Sequence, residues 1–554
     1  MDSSRTPNSI LDWLLAGSIA FAIIAALAGV DLRVGAVSMR AHNPLRILAA
    51  TGILATIRLR FGVESPGAWL TRIVLLTAIC GSVMTWFRFL LTTVGGADSY
   101  GYASAGQLLA QGRLIDAAPI AAWLSAANRM AIASPLGWAP SPDAGGIVPT
   151  YPIGLPGVMA LFSSISGPDG IFFVTPVMGL LTLACVHRLA QQWHDADTAL
   201  LATAIAAWNP LVITYSKQPM SDMAASMWVM LGLCLAVRSS SRSGFAAGLA
   251  GGCAVMTRPV LLIAGALLPA LAFKGDAPRR RVSVAIAGLG LGVAVQMVVQ
   301  QHLFGSPFAT GYGSATHLFA AGHVDDNAVI FSKHLWTVLG PLFMAGVAAG
   351  LMAAPADSPR MPAAMLAGVA LPYLFYLPFD HWETLRFLLP GLVPLTIVAA
   401  AGLMRMARAV PQSLRPVIVI AAIAIVAGRS EMLLRGSSVW DVSGLEARYP
   451  LAGQWIDVNT PVSSVVLANQ HSGSLRWYGK RQTLRWDFIE PASLPASVGE
   501  LQAMGATVYV ALEGDEVAMF EQRFAGVIDQ LQVDHVGSIR NVSFRRLAYL
   551  PANR

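Results

Sequence analysis

Asp98-Ser99-Tyr100-Gly101-Tyr102 sets one carboxylate among aromatic residues just past a long apolar stretch, Trp69–Val94. A carboxylate where a membrane helix meets water is costly and reads as a site. Its chemistry would be that of a general base, taking the proton of an attacking hydroxyl. Asp98 also suits the N-cap of a helix over Tyr100–Leu109, and one residue can serve in both ways.

Further candidates follow along the chain. Tyr100, Tyr102, Trp138 and Tyr151 border the polar loop 95–150. Aromatic faces stack on sugar rings, and aromatics also anchor membrane interfaces. Lys217-Gln218-Pro219-Met220-Ser221-Asp222 forms a turn between two apolar stretches. There Lys217 suits a phosphate, while Asp222 is either a second carboxylate or a partner for the next helix dipole. Arg258, in Thr257-Arg258-Pro259, interrupts an apolar pair and so must face a polar cavity or an anion. Guanidinium groups hold phosphate oxygens bidentately. His381, Glu383 and Arg386 precede another apolar helix. Glu383 and Arg386 form an exposed pair of little consequence, or Arg386 points into the same cavity as Arg258. His317, His323 and His334 with Asp325 and Asp326 match no metal-site spacing. Spacing leaves open a divalent cation between Asp98 and a phosphate.

These residues are set in a membrane chain. The sequence is 55% hydrophobic and 12% charged, with a mean hydropathy of +0.59, against roughly 25% charged residues in soluble domains. Apolar segments occur at Leu11–Val30, Leu45–Ile57, Trp69–Val94, Ile171–Ala190, Ala199–Thr214, Met220–Val237 and Phe245–Met256. More follow at Pro259–Phe273, Val282–Val299, Leu335–Ala354, Pro362–Leu377, Phe387–Leu403 and Val417–Leu434. A crossing needs about 20 apolar residues, so several segments predict broken or tilted helices around a cavity. The expected fold is a polytopic α-helical membrane protein with about 11–13 transmembrane segments.

The net charge of +7 gathers in short loops, at Lys274 with Arg279–Arg281, at Arg405, Arg408 and Arg415, and at Arg238 and Arg242. The positive-inside bias puts these in the cytoplasm, and the Asp98 loop, the Phe304–His334 loop and the C-terminal tail on the opposite side. Arg33 and Arg40 fit that count poorly. No basic run interleaves with aromatics, which argues against nucleic acid. The N-terminus is expected to be an uncleaved first helix rather than a signal peptide. Cys80, Cys185, Cys234 and Cys253 lie in apolar segments and read as small core residues. Asn541-Val542-Ser543 fits a glycosylation sequon and carries no weight by itself.

From Gly436 the texture changes. Ser463–Ala468 and Ala506–Leu512 read as buried strands, and Ser493–Met504 and Asp515–Gln530 as helices. The expected organisation is N-terminal membrane segments 1–68, a transmembrane catalytic region 69–435 with external loop 95–150, and a small extracytoplasmic α/β domain 436–554.

Five motifs in this order resemble the GT-C superfamily of polytopic glycosyltransferases. The resemblance is notably to the protein O-mannosyltransferase and lipid A aminoarabinose-transferase branch, of glycosyltransferase family 39 type. The motifs are Ala97-Asp98-Ser99-Tyr100 with Gly112-Arg113-Leu114, then Tyr151–Pro156, Ser216–Asp222, Thr257-Arg258-Pro259 and Arg386–Pro390. They span roughly Trp69 to Leu403; the C-terminal domain lies outside the resemblance. The resemblance implies inverting transfer of a sugar from a polyprenyl-phosphate carrier to an acceptor, with Asp98 as the base. It implies a lipid phosphate held by Lys217, Arg258 or Arg386, and a sugar or acceptor met by Tyr100, Tyr102, Tyr151 and His381. Many relatives carry an Asp-Glu pair where this chain has Asp98-Ser99, so Asp222 or Glu383 would have to supply a second carboxylate. The acceptor would be a glycolipid, a polysaccharide or a protein. With only four lysines among many arginines, the expected setting is a bacterial inner membrane with a periplasmic site. The rival reading is a transporter or flippase for a lipid-linked saccharide, which shares broken helices and anion-binding arginines. It predicts polar motifs on both sides, whereas here they collect on one.

Overall fold

The computed structural model describes residues 30–34, 37–41, 68–142, 145–271, 277–313, 315–353 and 360–550. The expected segment Leu11–Val30, save its last residue, lies outside these, as do Leu45–Ile57 and Lys274. A short antiparallel hairpin, β1 (Val30–Val34) with β2 (Val37–Ala41), comes first.

α1 (Ala68–Arg88) stops short of the expected Val94. Phe89–Val94 remains apolar but leaves the helix, because its backbone is held elsewhere. Leu91 N donates to Lys217 O, and Val94 N to the Tyr478 hydroxyl, both at 2.8 Å. α2 (Asp98–Ala110) follows directly. The loop after it contains the hairpin β3 (Trp138–Pro140) and β4 (Ile147–Pro149) and leads into α3 (Gly154–Ser166).

α4 (Val174–Trp193) is a full-length apolar helix. The stretch expected as one segment at Ala199–Thr214 is two helices, α5 (Ala196–Ala207) and α6 (Pro210–Ser216), bent by 63°. Asn209 causes the break: its carboxamide oxygen accepts from Leu211 N at 2.9 Å, and Pro210 starts the new helix without needing an N–H partner. α7 (Ser221–Ala236), α8 (Ser241–Thr257) and α9 (Leu262–Leu271) are short, and the expected pairing of apolar segments appears as such. α10 (Pro278–Phe304) and α11 (Val324–Ala353) are long, α11 breaking at Gly340, whose φ of 74° precedes Pro341. α12 (Arg360–Leu374), α13 (Leu389–Arg408) and α14 (Arg415–Gly436) complete the bundle.

Among the described residues five helical stretches are long and apolar enough to cross a membrane, or six if the bent pair counts as one span. The chain is a multi-pass membrane protein. In the Trp382–Arg408 stretch 83% of the most apolar window is buried, against 22% for Pro278–Phe304. Helix α13 is therefore the centre of the bundle, and α10 lies at its edge.

Beyond α14 come α15 (Arg448–Asn459), β5 (Val465–Ala468), α16 (Ser472–Trp477), β6 (Gln482–Leu484) and α17 (Leu494–Ala503). β7 (Val508–Glu513), α18 (Glu516–Phe524), β8 (Leu531–Ile539) and β9 (Val542–Tyr549) follow. The strands form one sheet ordered β6-β5-β7-β9-β8, parallel at β5–β6 and β5–β7 and antiparallel at β7–β9 and β8–β9. Val465–Ala468 and most of β7 are buried on both faces, as β-branched runs without alternation require. The hairpin β8–β9 was not anticipated: Asp534, His535, Arg545 and Arg546 break up its apolar pattern, and β8 lies at the sheet edge with β9 next to it.

Candidate active site

Asp98 is the first residue of α2, preceded by Ala97, and it makes no capping bond. Its carboxylate turns instead toward the turn before α3 and toward the segment before α13. The Tyr151 hydroxyl donates to Asp98 Oδ1 at 2.6 Å, and Arg386 Nη2 lies 3.6 Å from Oδ2. The carboxylate keeps 38% exposure, so a third group has room to reach it.

Arg258 follows the last residue of α8, in an extended conformation imposed by Pro259. Its Nη2 donates to Asp222 Oδ1 at 2.7 Å, and its Nε to Ser221 Oγ at 3.0 Å. Ser221 Oγ also accepts from the Tyr102 hydroxyl at 3.0 Å. Asp222 is wholly buried. It thus serves as the counter-charge of Arg258, and it does not line the cavity described next.

A cavity of about 280 Å³ lies between these groups. Asp98, Arg258 and Arg386 line it, with Tyr102, Tyr151 and Tyr312 on one wall and Tyr373, Tyr376 and Phe387 on another. The aromatic walls are continuous: Tyr102 and Tyr151 centroids stand 4.5 Å apart, Tyr151 and Tyr312 5.8 Å, and Tyr373 stacks on Phe387 at 4.9 Å. Both guanidinium groups lie over the Phe387 ring, Arg258 at 5.7 Å and Arg386 at 5.2 Å. The cavity lining is thus cationic and aromatic, with a single carboxylate, Asp98, next to Arg386. Burial first, and then the charge of Asp98, pushes the Tyr102 and Tyr151 phenols up from their ordinary values, so both remain neutral donors.

Residues 150–303 match the family described as dolichyl-phosphate-mannose-protein mannosyltransferase, a stretch that holds Tyr151, Ser221, Asp222 and Arg258. No curated protein matches the chain by sequence. Among solved structures, ArnT from Cupriavidus metallidurans in the apo state is similar at a TM-score of 0.52 and 14% identity, over 85% of this chain and 97% of that one. The same protein bound to undecaprenyl phosphate is similar at 0.52 and 13%, over the same shares of the two chains. The oligosaccharyltransferase of Archaeoglobus fulgidus, tethered to an acceptor peptide, gives 0.46 and 12% over 85% of this chain and 73% of that one. The chain has a GT-C fold, shared with ArnT.

Within this GT-C fold the structure brings together Asp98, Tyr102, Tyr151, Arg258 and Arg386 of the residues singled out by sequence. It leaves others outside the cavity. Lys217 is 2% exposed; its ammonium donates to Val439 O and lies 5.2 Å from the Trp440 ring, and it does not line the cavity. His381 and Glu383 are on the surface, 62% and 43% exposed and 3.9 Å from each other. Tyr100 turns its ring onto Gly473 and against Trp477, with centroids 6.5 Å apart. Trp138 is buried and donates through Nε1 to Ser104 at 2.9 Å. His334 pairs with Asp380 at 2.8 Å, and among the described residues no three His, Cys, Asp or Glu side chains gather as a metal-holding group.

The sequence reading missed two things. Tyr312, Gln296 and Gln300 line the cavity; two glutamines four apart in an otherwise apolar helix were a usable signal. It also missed how tightly the C-terminal domain grips the chain around Asp98. A Cβ on Gly95 would collide with the Tyr449 ring, and Gly96 has a φ of 60° and lies against the Tyr449 hydroxyl and Gln470. With the Val94–Tyr478 bond and the Tyr100–Gly473 contact, the segment 94–100 is cast against α15 and α16. Further along the loop, Leu136 N donates to Ser472 Oγ at 3.0 Å and Arg476 Nη2 to Ala133 O at 2.6 Å.

Proposed function

We propose that this protein is an inverting glycosyltransferase that moves a sugar from a polyprenyl-phosphate-linked donor to an acceptor hydroxyl at the periplasmic face of a bacterial inner membrane. The observation that carries this reading is that Asp98, Arg258 and Arg386 line one aromatic-walled cavity, with Arg386 3.6 Å from the Asp98 carboxylate. The two guanidinium groups hold the donor phosphate and stabilise the negative charge that grows on it as it leaves. Asp98 accepts the proton of the acceptor hydroxyl. The acceptor oxygen bonds to the anomeric carbon as the bond from that carbon to the phosphate oxygen breaks. Polyprenyl phosphate departs with the bonding electrons, and attack from the opposite face inverts the configuration. Aromatic rings on both walls provide stacking surfaces for the sugar and exclude water that would otherwise hydrolyse the donor. The basic short loops support the orientation through the positive-inside bias. In this reading the acceptor is a glycolipid, a polysaccharide or a protein.

The test is transfer of radiolabelled sugar from a panel of polyprenyl-phosphate sugars in membranes, with wild type beside Asp98→Asn. Transfer by wild type that is lost in an equally abundant Asp98→Asn protein is the expected result. Equal transfer by both would remove Asp98 from the chemistry, and flipping of the lipid without transfer would make the protein a transporter.

A further inference from the structure

α8 and α10 run side by side in the same direction. A Cβ on Gly248 would meet Ala285 O, one on Gly288 would meet Phe245 O, and Gly252 and Gly292 approach each other through their Cα atoms. The face of α10 carrying Ala285, Gly288 and Gly292 is therefore pressed against α8 with no side chains between. α8 ends at Thr257. Steps of four residues along α10 keep to one face, so above that end the same face continues as Gln296 and Gln300. Both line the cavity, at the level of Thr257 and Arg258.

Gln296 is only 5% exposed and Gln300 9%. Gln296 Oε1 is buried without a hydrogen-bond partner among the described residues, and so is Arg258 Nη1 on the same cavity. A buried polar atom left unpaired costs the full desolvation of that group, and polar side chains in membrane helices mark substrate paths. The stripe of small residues beneath fixes the rotation of α10, so the two carboxamides cannot turn out toward lipid.

We infer that Gln296 and Gln300 recognise the sugar of a lipid-linked donor and set which sugar the cavity takes. This rests on the reading of the cavity as a donor site and adds to it the group that discriminates. The division of labour follows from chemistry. A guanidinium offers donors alone and matches phosphate, whereas a carboxamide offers a donor and an acceptor and matches a hydroxyl, which is both. Arg258 and Gln296 stand at one level, so a phosphate on Arg258 puts the attached sugar within reach of the glutamines.

The experiment compares binding of polyprenyl-phosphate sugars with binding of bare polyprenyl phosphate to the purified full chain in nanodiscs, for wild type, Gln296→Leu and Gln300→Leu. The expected result is roughly a tenfold loss of affinity for the preferred sugar-bearing lipid in Gln296→Leu, with binding of bare polyprenyl phosphate unchanged. A smaller loss in the same direction is expected for Gln300→Leu, which keeps the inference testable if Gln296→Leu fails to fold. Equal losses for both lipids, or no loss for either, would overturn it. Binding needs no turnover, so the two readings fail separately. Wild type that prefers one sugar-bearing lipid but transfers nothing leaves this inference standing and the transferase reading fallen. Wild type that binds sugar-bearing and bare lipid alike ends this inference whatever it transfers.

Discussion

Tyr151 donates its hydroxyl hydrogen to Asp98 Oδ1 at 2.6 Å, tying the first residue of α2 to the turn before α3. The bond fixes one carboxylate oxygen and leaves the other toward Arg386 and the open cavity. Removing it by Tyr151→Phe is expected to lower transfer about 10- to 100-fold while Asp98→Asn lowers it about 100- to 10,000-fold. Because burial and Asp98 raise the Tyr151 phenol above its ordinary value, wild type should show no alkaline loss of activity from this tyrosine below pH ~10. A rate–pH profile of both proteins checks the two statements together.

Asp222 and Arg258 make a buried pair whose loss should show first in stability. Asp222→Asn leaves Arg258 without its counter-charge, at a cost of about 3–5 kcal/mol. The protein is expected to lose yield and melt early in detergent. Replacing both, as Arg258→Met with Asp222→Leu, should recover the melting temperature and still fail to transfer. Full activity in the double variant would remove Arg258 from phosphate binding.

Lys217 reads as a phosphate ligand in sequence, and its burial makes a different prediction. Lys217→Met removes the bond to Val439 O and should cost about 1–3 kcal/mol of stability. Donor KM should stay within about twofold of wild type, a shift below the worth of one hydrogen bond. Steady-state kinetics on the surviving folded protein decides it.

Gly95 tests the grip of the C-terminal domain on the Asp98 segment. Gly95→Ala drives a methyl into the Tyr449 ring, an overpacking worth about 1–3 kcal/mol. We expect kcat to fall with donor binding nearly intact, since Arg258 and Arg386 sit on other elements. Adding Tyr449→Ala should restore part of kcat. Loss of donor binding in Gly95→Ala would show that the segment shapes the lipid site as well.

Charge made most of this site legible. Asp98, Arg258 and Arg386 each interrupt or border an apolar run, and a charge there needs a reason that sequence alone reveals. Gln296 and Gln300 were legible as two carboxamides four apart on one helix face, but being neutral they demand no counter-charge and so point to no partner. Lys217 was legible as a charge, but its acceptor on Val439 lies 222 residues away, and no local pattern encodes such a partner. The end of α1 at Arg88 was hidden for a similar reason. Phe89–Val94 is as apolar as a helix interior, and its path is decided by Lys217 O and the Tyr478 hydroxyl. The membrane helices and the inner strands β5 and β7 declared themselves through continuous apolar runs, while the partly exposed strands β8, at the sheet edge, and β9, next to it, did not.

The bond from Tyr478 to Val94 N joins residues 384 apart in the chain. At ribosomal speeds that interval lasts roughly 20–80 s. During this time the segment bearing Asp98 has been made but the surface that moulds it has not. A nascent chain inserted in the membrane therefore carries its arginines and its cavity helices before the segment of Asp98 is set in place. On the transferase reading the reactive geometry is assembled last, and a chain truncated before Tyr478 is expected to show neither transfer nor hydrolysis of the donor.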